Sequence, residues 1–157
     1  MQKITPFLWF DTQAEQAAGF YVTLFPNSQI TGTSRYGEAG PGQPGSVMTV
    51  TFRLDGQEFV ALNGGPEFKF TPALSFFVDC ADQAEVDRLW SALTDGGQEV
   101  QCGWLTDRFG LSWQIVPSGL TEVLNGPDPA GAQRAMQAML QMKKLDIGAL
   151  RRAYAGG

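Results

Sequence analysis

Apolar residues recur first at every second position, then at every third or fourth, then at every second again, which predicts strands around a helix. Ile4 to Phe10 is aromatic and apolar, and helical spacing from Ala14 to Phe25 ends at Pro26-Asn27. Asp11 or Thr12 is the expected cap, with Glu15 at capping-box spacing from Thr12. Three strands are predicted next, over Ile30 to Tyr36, Val47 to Leu54 and Glu58 to Leu62.

The same order recurs in the second half of the chain, which favours an internal duplication of a βαβββ unit. Ala73 to Asp79 predicts a strand, Asp82 to Leu93 a helix, and Glu99 to Cys102 a shortened strand. Two further strands, Trp104 to Leu105 and Leu111 to Val116, flank a turn that Gly110 can close with positive φ. We expect a single domain with a first module over 1–66, an abridged second module over 72–120 and a helical tail over 128–155.

The tail carries its apolar residues at spacings of three and four. Asp128-Pro129 predicts the start of a helix, Met136, Met139 and Met142 form a stripe along it, and a break is expected near Asp146. A methionine-rich stripe could bind ligands or partner helices. Packing of the helix on its own domain, or on a second subunit, is the favoured interpretation.

Composition narrows the possible partners. Hydrophobic residues make up 43% of 157 positions and charged residues 17%, without an apolar run long enough to cross a membrane or act as a secretory signal. We therefore expect a soluble, cytoplasmic protein whose Cys80 and Cys102 are buried or half-buried thiols. The net charge of -5 disfavours nucleic acid and anionic membranes as partners.

The sequence contains no histidine. Imidazole is the usual ligand for zinc, iron and nickel and the usual proton carrier near neutral pH. Metal binding or acid–base catalysis by this chain would therefore depend on carboxylates.

Several stretches together resemble the PhnB-like family, which often carries the label "3-demethylubiquinone-9 3-methyltransferase domain". These stretches are ITPFLWFDTQAEQAAGFYVTLFPNS, ALNGGPEFKF, DCADQAEVDRLW, QCGWLTDRFGLSWQIVP and MKKLDIGALRRAYAG. The family is part of the glyoxalase, bleomycin-resistance and extradiol-dioxygenase superfamily, also called vicinal oxygen chelate. The resemblance implies an α+β fold in which two βαβββ modules form curved mixed sheets around a cavity, with a C-terminal helix added, and it implies a homodimer.

Catalytic members of that superfamily usually hold a metal with His or Glu at four strand positions. Matching strand to strand places Thr5, Ala61 or Asn63, Ala73 and Gln114 at those points. None of these side chains is a carboxylate or an imidazole. The label also implies S-adenosylmethionine, but the chain lacks the alternating β/α units and the Gly-rich turn before a helix that usually bind it. We therefore expect no metal and no cofactor.

The resemblance and strand alternation together suggest which residues line the cavity. Aromatic side chains with a few neutral polar groups suit a small, planar, mostly apolar ligand. The alternatives are that the aromatics fill the core and that the amides of Asn63 and Gln114 bond within the sheet. The candidates are Thr5, Phe7, Trp9, Asn63, Ser75, Phe77 and Gln114.

The leading hypothesis is a metal-independent small-molecule binding protein. The alternative is an enzyme of the superfamily, a lyase, dioxygenase or transferase, including the methyltransferase of the family label. Asp107 is expected to cap the turn at 107–110 rather than to act as a base. The glycine-rich loop 37–45, beside Arg35 and Tyr36, could close over a ligand.

Overall fold

A computed structural model describes residues 2–157, which divide into two units at Phe70 and Thr71. The first unit forms one four-stranded mixed sheet in the order β1-β4-β3-β2, where β1 and β4 are parallel and the other pairs antiparallel. Its elements are β1 (Phe7–Phe10), α1 (Ala14–Tyr21), β2 (Gln29–Arg35), β3 (Val47–Leu54) and β4 (Gln57–Asn63).

Helix α1 covers one face of this sheet because apolar side chains alternate along the strands. Leu8 and Phe10 of β1 are buried on that face, and Tyr21 of α1 lies 6.4 Å from the ring of Phe52. Phe52 in turn stacks on Phe59, with 5.5 Å between ring centroids. The core of the first unit therefore lies between α1 and one face of the sheet, and the other face carries no helix of this unit.

The second unit repeats the strand order as β5-β8-β7-β6, again with its first pair parallel. Helix α2 buries Val86, Leu89 and Leu93 at helical spacing, and Asp82 caps it by accepting a hydrogen bond from the Glu85 amide. The elements of this module are β5 (Ser75–Cys80), α2 (Gln83–Thr94), β6 (Gln98–Glu99), β7 (Trp104–Thr106) and β8 (Ser112–Pro117). The matching strand orders confirm the α+β class and the two βαβββ modules, with sheets that are not closed.

Three helices follow β8: α3 (Leu120–Leu124), α4 (Pro129–Leu140) and α5 (Ile147–Ala155). Asp128 caps α4 with Pro129 in its first turn, and Asp146 caps α5, so the expected start and break are both confirmed. The three helices pack around Val123, Ala135, Ile147 and Leu150. No helix among residues 2–157 is long and apolar enough to span a membrane.

Two local predictions were wrong. Neither Asp11 nor Thr12 caps α1, because Gln13 occupies the N-cap position and the Ala14 amide donates to the side chain of Asn63 instead. The short strand of the second module ends at Glu99 rather than at Cys102, because residues 101–103 form the turn into β7, where the Trp104 amide donates to the Gln101 carbonyl. Cys102 has a φ of 59° there, and its amide donates to the carbonyl of Met142 in the tail.

Candidate functional site

The face of the first sheet that α1 leaves open has an apolar half and a hydroxyl-bearing half. Strand register aligns Phe7 with Val60 and Thr51, and Trp9 with Leu62 and Thr49. Each row therefore runs from an aromatic ring on β1, across an aliphatic side chain on β4, to a threonine on β3. With strands about 4.8 Å apart, a row of four strands spans about 14 Å, which is the scale of a two- or three-ring molecule.

Hydroxyl groups continue both rows onto β2. Ser34 and Thr49 hydrogen-bond through their hydroxyls at 2.5 Å, and the Thr31 hydroxyl donates to that of Thr51 at 3.1 Å. A hydroxyl in such a pair still has an acceptor or donor site for a third group. A charged pair on this face, Arg53 with Glu58, occupies the next row, where the two groups are 3.5 Å apart. We call Phe7, Trp9, Thr49, Thr51, Val60 and Leu62, with Ser34, the open face of the first unit.

The two aromatic residues on β1 differ in exposure. Phe7 is 61% exposed, whereas Trp9 is half-buried because its own chain folds back beside it. The Trp9 indole donates to the Gly65 carbonyl at 2.9 Å, and Phe68 meets the ring edge-on at 4.9 Å between centroids. Thr5 is half-buried just before β1. Phe7 is therefore the aromatic ring that is freest to contact a ligand on this face.

Asn63 lies on the opposite side of β4 from Val60 and Leu62 and so does not join Phe7 and Trp9. Its side-chain oxygen accepts from the Ala14 amide at 2.8 Å, and its side-chain nitrogen donates to the Val47 carbonyl at 3.1 Å. Its own carbonyl accepts from the Tyr36 hydroxyl at 2.5 Å. Asn63 thus fixes the start of α1, the start of β3 and the end of β2 relative to one another, which sequence spacing alone does not reveal.

In the second unit, Ser75, Phe77 and Gln114 share one face, as strand alternation predicted. Phe77 pairs in register with Gln114 and is 60% exposed. The Gln114 amide donates to the Ser75 hydroxyl at 3.0 Å, so the amide bonds within the sheet and remains half-buried. These three side chains therefore lie next to one another on β5 and β8.

Asp107 caps its turn, as expected, and does more than the sequence indicated. The carboxylate is 3% exposed and accepts hydrogen bonds from the amides of Phe109 and Leu111. Its second oxygen accepts from the Trp113 indole at 2.9 Å. Because these donors surround the carboxylate, Asp107 is built into the β7–β8 hairpin rather than held ready as a base.

The donor groups do not fit a divalent transition metal. Ala61 is fully buried on the α1 side of β4, Asn63 is engaged with α1, and Gln114 bonds to Ser75. Within residues 2–157, no group of three or more Cys, Asp or Glu side chains is placed to hold a metal ion. We therefore derive no metal-dependent step.

The residues also do not fit the usual S-adenosylmethionine site. Asn63-Gly64-Gly65 follows β4, but no helix begins before α2 at Gln83. A helix N-terminus directly after the glycines is what places amide groups on such a cofactor.

Two tandem βαβββ modules, each with one mixed and unclosed four-stranded sheet, define the α+β fold class of the protein. Residues 2–116 match the model of the 3-demethylubiquinone-9 3-methyltransferase family. The chain therefore belongs to this family, and α3, α4 and α5 lie beyond the matched residues.

Solved structures agree with this assignment. A PhnB protein from Bacillus cereus, which carries the same methyltransferase label, is 40% identical; the alignment covers 74% of this chain and all of that one, with a TM-score of 0.69. A protein from Pseudomonas aeruginosa is 20% identical over 74% of this chain and 98% of its own, with a TM-score of 0.62, which shows a shared fold. No curated protein matches the chain.

Proposed function

We propose that the protein binds a small, flat and mostly apolar molecule on the open face of the first unit. The observation that carries the proposal is the division of that face into an aromatic and aliphatic half and a hydroxyl-bearing half. A ring system would pack against Phe7, Val60 and Leu62, and polar atoms along one edge would bond to the threonine and serine hydroxyls. The proposed ligand carries no net charge, because the residues of the open face are uncharged and Arg53 and Glu58 in the next row pair with each other.

A quinone ring meets this description, and the family label names a quinone substrate. Quinone carbonyl oxygens are acceptors, so they complement hydroxyl donors such as Thr49 and Thr51. We favour binding over methyl transfer, because the chain does not place amide groups on S-adenosylmethionine in the usual way. Titration calorimetry with S-adenosylmethionine separates the two: binding at micromolar concentration would support the transferase.

The proposal is tested by titrating the protein with 2-methyl-1,4-naphthoquinone in a calorimeter. Phe7→Ala is expected to weaken binding roughly fivefold or more, because it removes the most exposed ring of the face. Thr49→Val with Thr51→Val is expected to weaken binding of the quinone but not of a naphthalene derivative without ring oxygens. Leu140→Ala is the control, since Leu140 is 52% exposed on α4, far along the chain from the face.

Equal affinity of the parent protein and the Phe7→Ala variant would refute the open face as the binding site. Phe77→Ala gives a second comparison, because it removes an exposed ring from the second unit. If only Phe77→Ala lowered the affinity, the binding site would instead be the face of the second unit that contains Ser75 and Gln114.

We further propose that the protein acts as a homodimer in the cytoplasm. The family resemblance supports the dimer, and the exposed Phe7 and Phe77 offer apolar surface to a partner or a ligand. Light scattering of the purified protein tests the dimer, since a mass near 17.0 kDa would exclude it.

A further inference from the structure

The first unit has a pocket at one end of its sheet, apart from the open face. Because β1 and β4 are parallel and β3 is antiparallel to β4, the ends of β1, β2 and β4 meet the start of β3 there. The first turn of α1 and the loop between β2 and β3 complete the walls. The pocket has a volume of about 460 Å³, which is within the range that small-molecule sites occupy.

The pocket walls are held in place by contacts that do not depend on a ligand. Tyr36 is nearly buried, and its hydroxyl bonds to the Asn63 carbonyl. Gly42 lies so close to the Tyr36 ring that an added Cβ would come within 2.4 Å of it. Gly45 and Ser46 pair with Tyr36 through backbone hydrogen bonds of 2.8 Å. The glycine-rich loop is therefore folded over the tyrosine and forms one side of the pocket.

The charged side chains that line the pocket are acidic. Asp11 and Glu15, at the start of α1, are its charged lining residues, and no lysine or arginine among residues 2–157 lines it. Neither carboxylate forms an ion pair with a described residue. The other polar groups are neutral side chains of Thr12, Gln43 and Ser46 and the backbone around Gly64. Arg35 donates to the Gly45 carbonyl at 3.0 Å but does not line the pocket. An anion inside the pocket would therefore face two carboxylates, whereas a cation would neutralise both.

We propose that this pocket binds a small organic cation, a molecule with one or two ammonium groups on a short polar or aliphatic body. The ammonium donates to the carboxylates of Asp11 and Glu15, and the body lies against Tyr36 and the neutral loop residues. The site does not involve Phe7, Val60 or Leu62, so it can be occupied independently of the open face.

Three probes of equal length test the proposal: 1,4-diaminobutane, 1,4-butanediol and butanedioate. They present two positive charges, none and two negative charges on the same four-carbon chain. Titrations followed by ¹⁵N–¹H spectra should show the diamine shifting the amide signals of Gly42, Gly64 and Gly65. The diol and the dianion should leave these signals in place up to 10-fold higher concentration.

Asp11→Asn with Glu15→Gln should weaken diamine binding roughly tenfold or more, because both charge-assisted contacts are lost. Glu38→Gln with Glu67→Gln is the matched control, since it removes the same net charge from exposed residues of the first unit that do not line the pocket. A similar loss in both double variants, or equal binding of the diol, would overturn the proposal. The absence of any diamine-induced shift would overturn it as well.

Discussion

At the scale of single residues, the hydrogen bonds of the Asp107 and Asn63 side chains stabilise the fold. Asp107 holds together the β7–β8 hairpin that contains it, whereas Asn63 connects segments that are separate in the sequence. The turn-capping role of Asp107 was predictable because the acceptor and its amide donors are within four residues. The role of Asn63 was not, because its partners at Ala14 and Val47 are 49 and 16 residues away.

Asp107→Asn is expected to lower the free energy of unfolding by about 2–4 kcal/mol, because an amide cannot accept from all three N–H groups around it. Urea denaturation measures the change. Asp95→Asn is the control: Asp95 is 82% exposed beside Arg108, and its replacement should change stability by less than about 1 kcal/mol. Equal effects would show that the hydrogen bonds to Asp107 add little.

Burial raises the pKa of the Cys80 thiol from its ordinary 9.0 to about 12. The folded protein therefore keeps this proton at pH values where the unfolded chain loses it. The resulting stability is complete below pH 9 and is lost as pH rises from 9 towards 12.

Relative to Cys80→Ala, the parent protein should lose about 1 kcal/mol more stability between pH 9 and pH 10. Urea denaturation at each pH measures this difference. Cys102→Ala provides the comparison, because it leaves Cys80 in place and should keep the pH dependence of the parent protein. A parent protein and Cys80→Ala variant with parallel pH dependence would contradict the raised pKa.

At the scale of elements, sequence patterns predicted the helix starts and turns that depend only on neighbouring residues. Alternation predicted the shared face of Phe7 and Trp9 but not that of Asn63, which lies on the other side of its sheet. The Asp128-Pro129 pair predicted the start of α4, and Gly110 closes its turn with a φ of 91°. Sequence patterns did not predict the end of a strand where a distant segment of the chain supplies the hydrogen bonds. Residues 101–103 leave β6 short because the Gly103 amide donates to the Lys143 carbonyl, more than thirty residues further along the chain.

Gly103→Ala is expected to destabilise the protein by about 2–3 kcal/mol. Gly103 has a φ of +85°, and an added Cβ would lie 2.8 Å from Leu145 and 3.1 Å from the Ile115 carbonyl. Thermal denaturation followed by circular dichroism measures the effect.

Gly19→Ala should instead raise stability by about 0.5–1 kcal/mol, because Gly19 lies inside α1 with open space around its Cα. Destabilisation by both variants alike would argue against the specific contact at Gly103.

At the scale of the whole chain, the fold divides into two compact units, and the tail belongs to the second. The side chain of Gln83 on α2 bonds to the Leu145 carbonyl and the Ile147 amide, and Lys144 pairs with Asp87 at 2.9 Å. Leu145 and Leu150 are fully buried. The recurring order of elements predicted the doubled module and the family resemblance agreed with it, but neither could show how the tail helices pack within the second unit.

Truncation after Pro117 tests how far the second unit depends on the tail. Loss of Leu145, Ile147 and Leu150 should lower the melting temperature by roughly 10 °C or more and expose apolar surface that binds a fluorescent dye. Hydrogen exchange should show lost protection in α2 and β5 to β8, with the amides of β3 and β4 still protected. Equal loss of protection in both units would contradict the division into two compact units.

Gly40 and Gly42 restrict how the loop between β2 and β3 can vary in sequence. An added Cβ at either position would lie within 3 Å of the Tyr36 ring, whereas one at Gly37 would meet nothing within 4 Å. Selection can therefore vary the loop at positions such as Gly37 and Glu38 while it keeps glycine opposite the ring. Diversity at a lining position such as Gln43 would change what surrounds the carboxylates of Asp11 and Glu15, whereas diversity at Gly37 and Glu38 would leave the pocket lining unchanged.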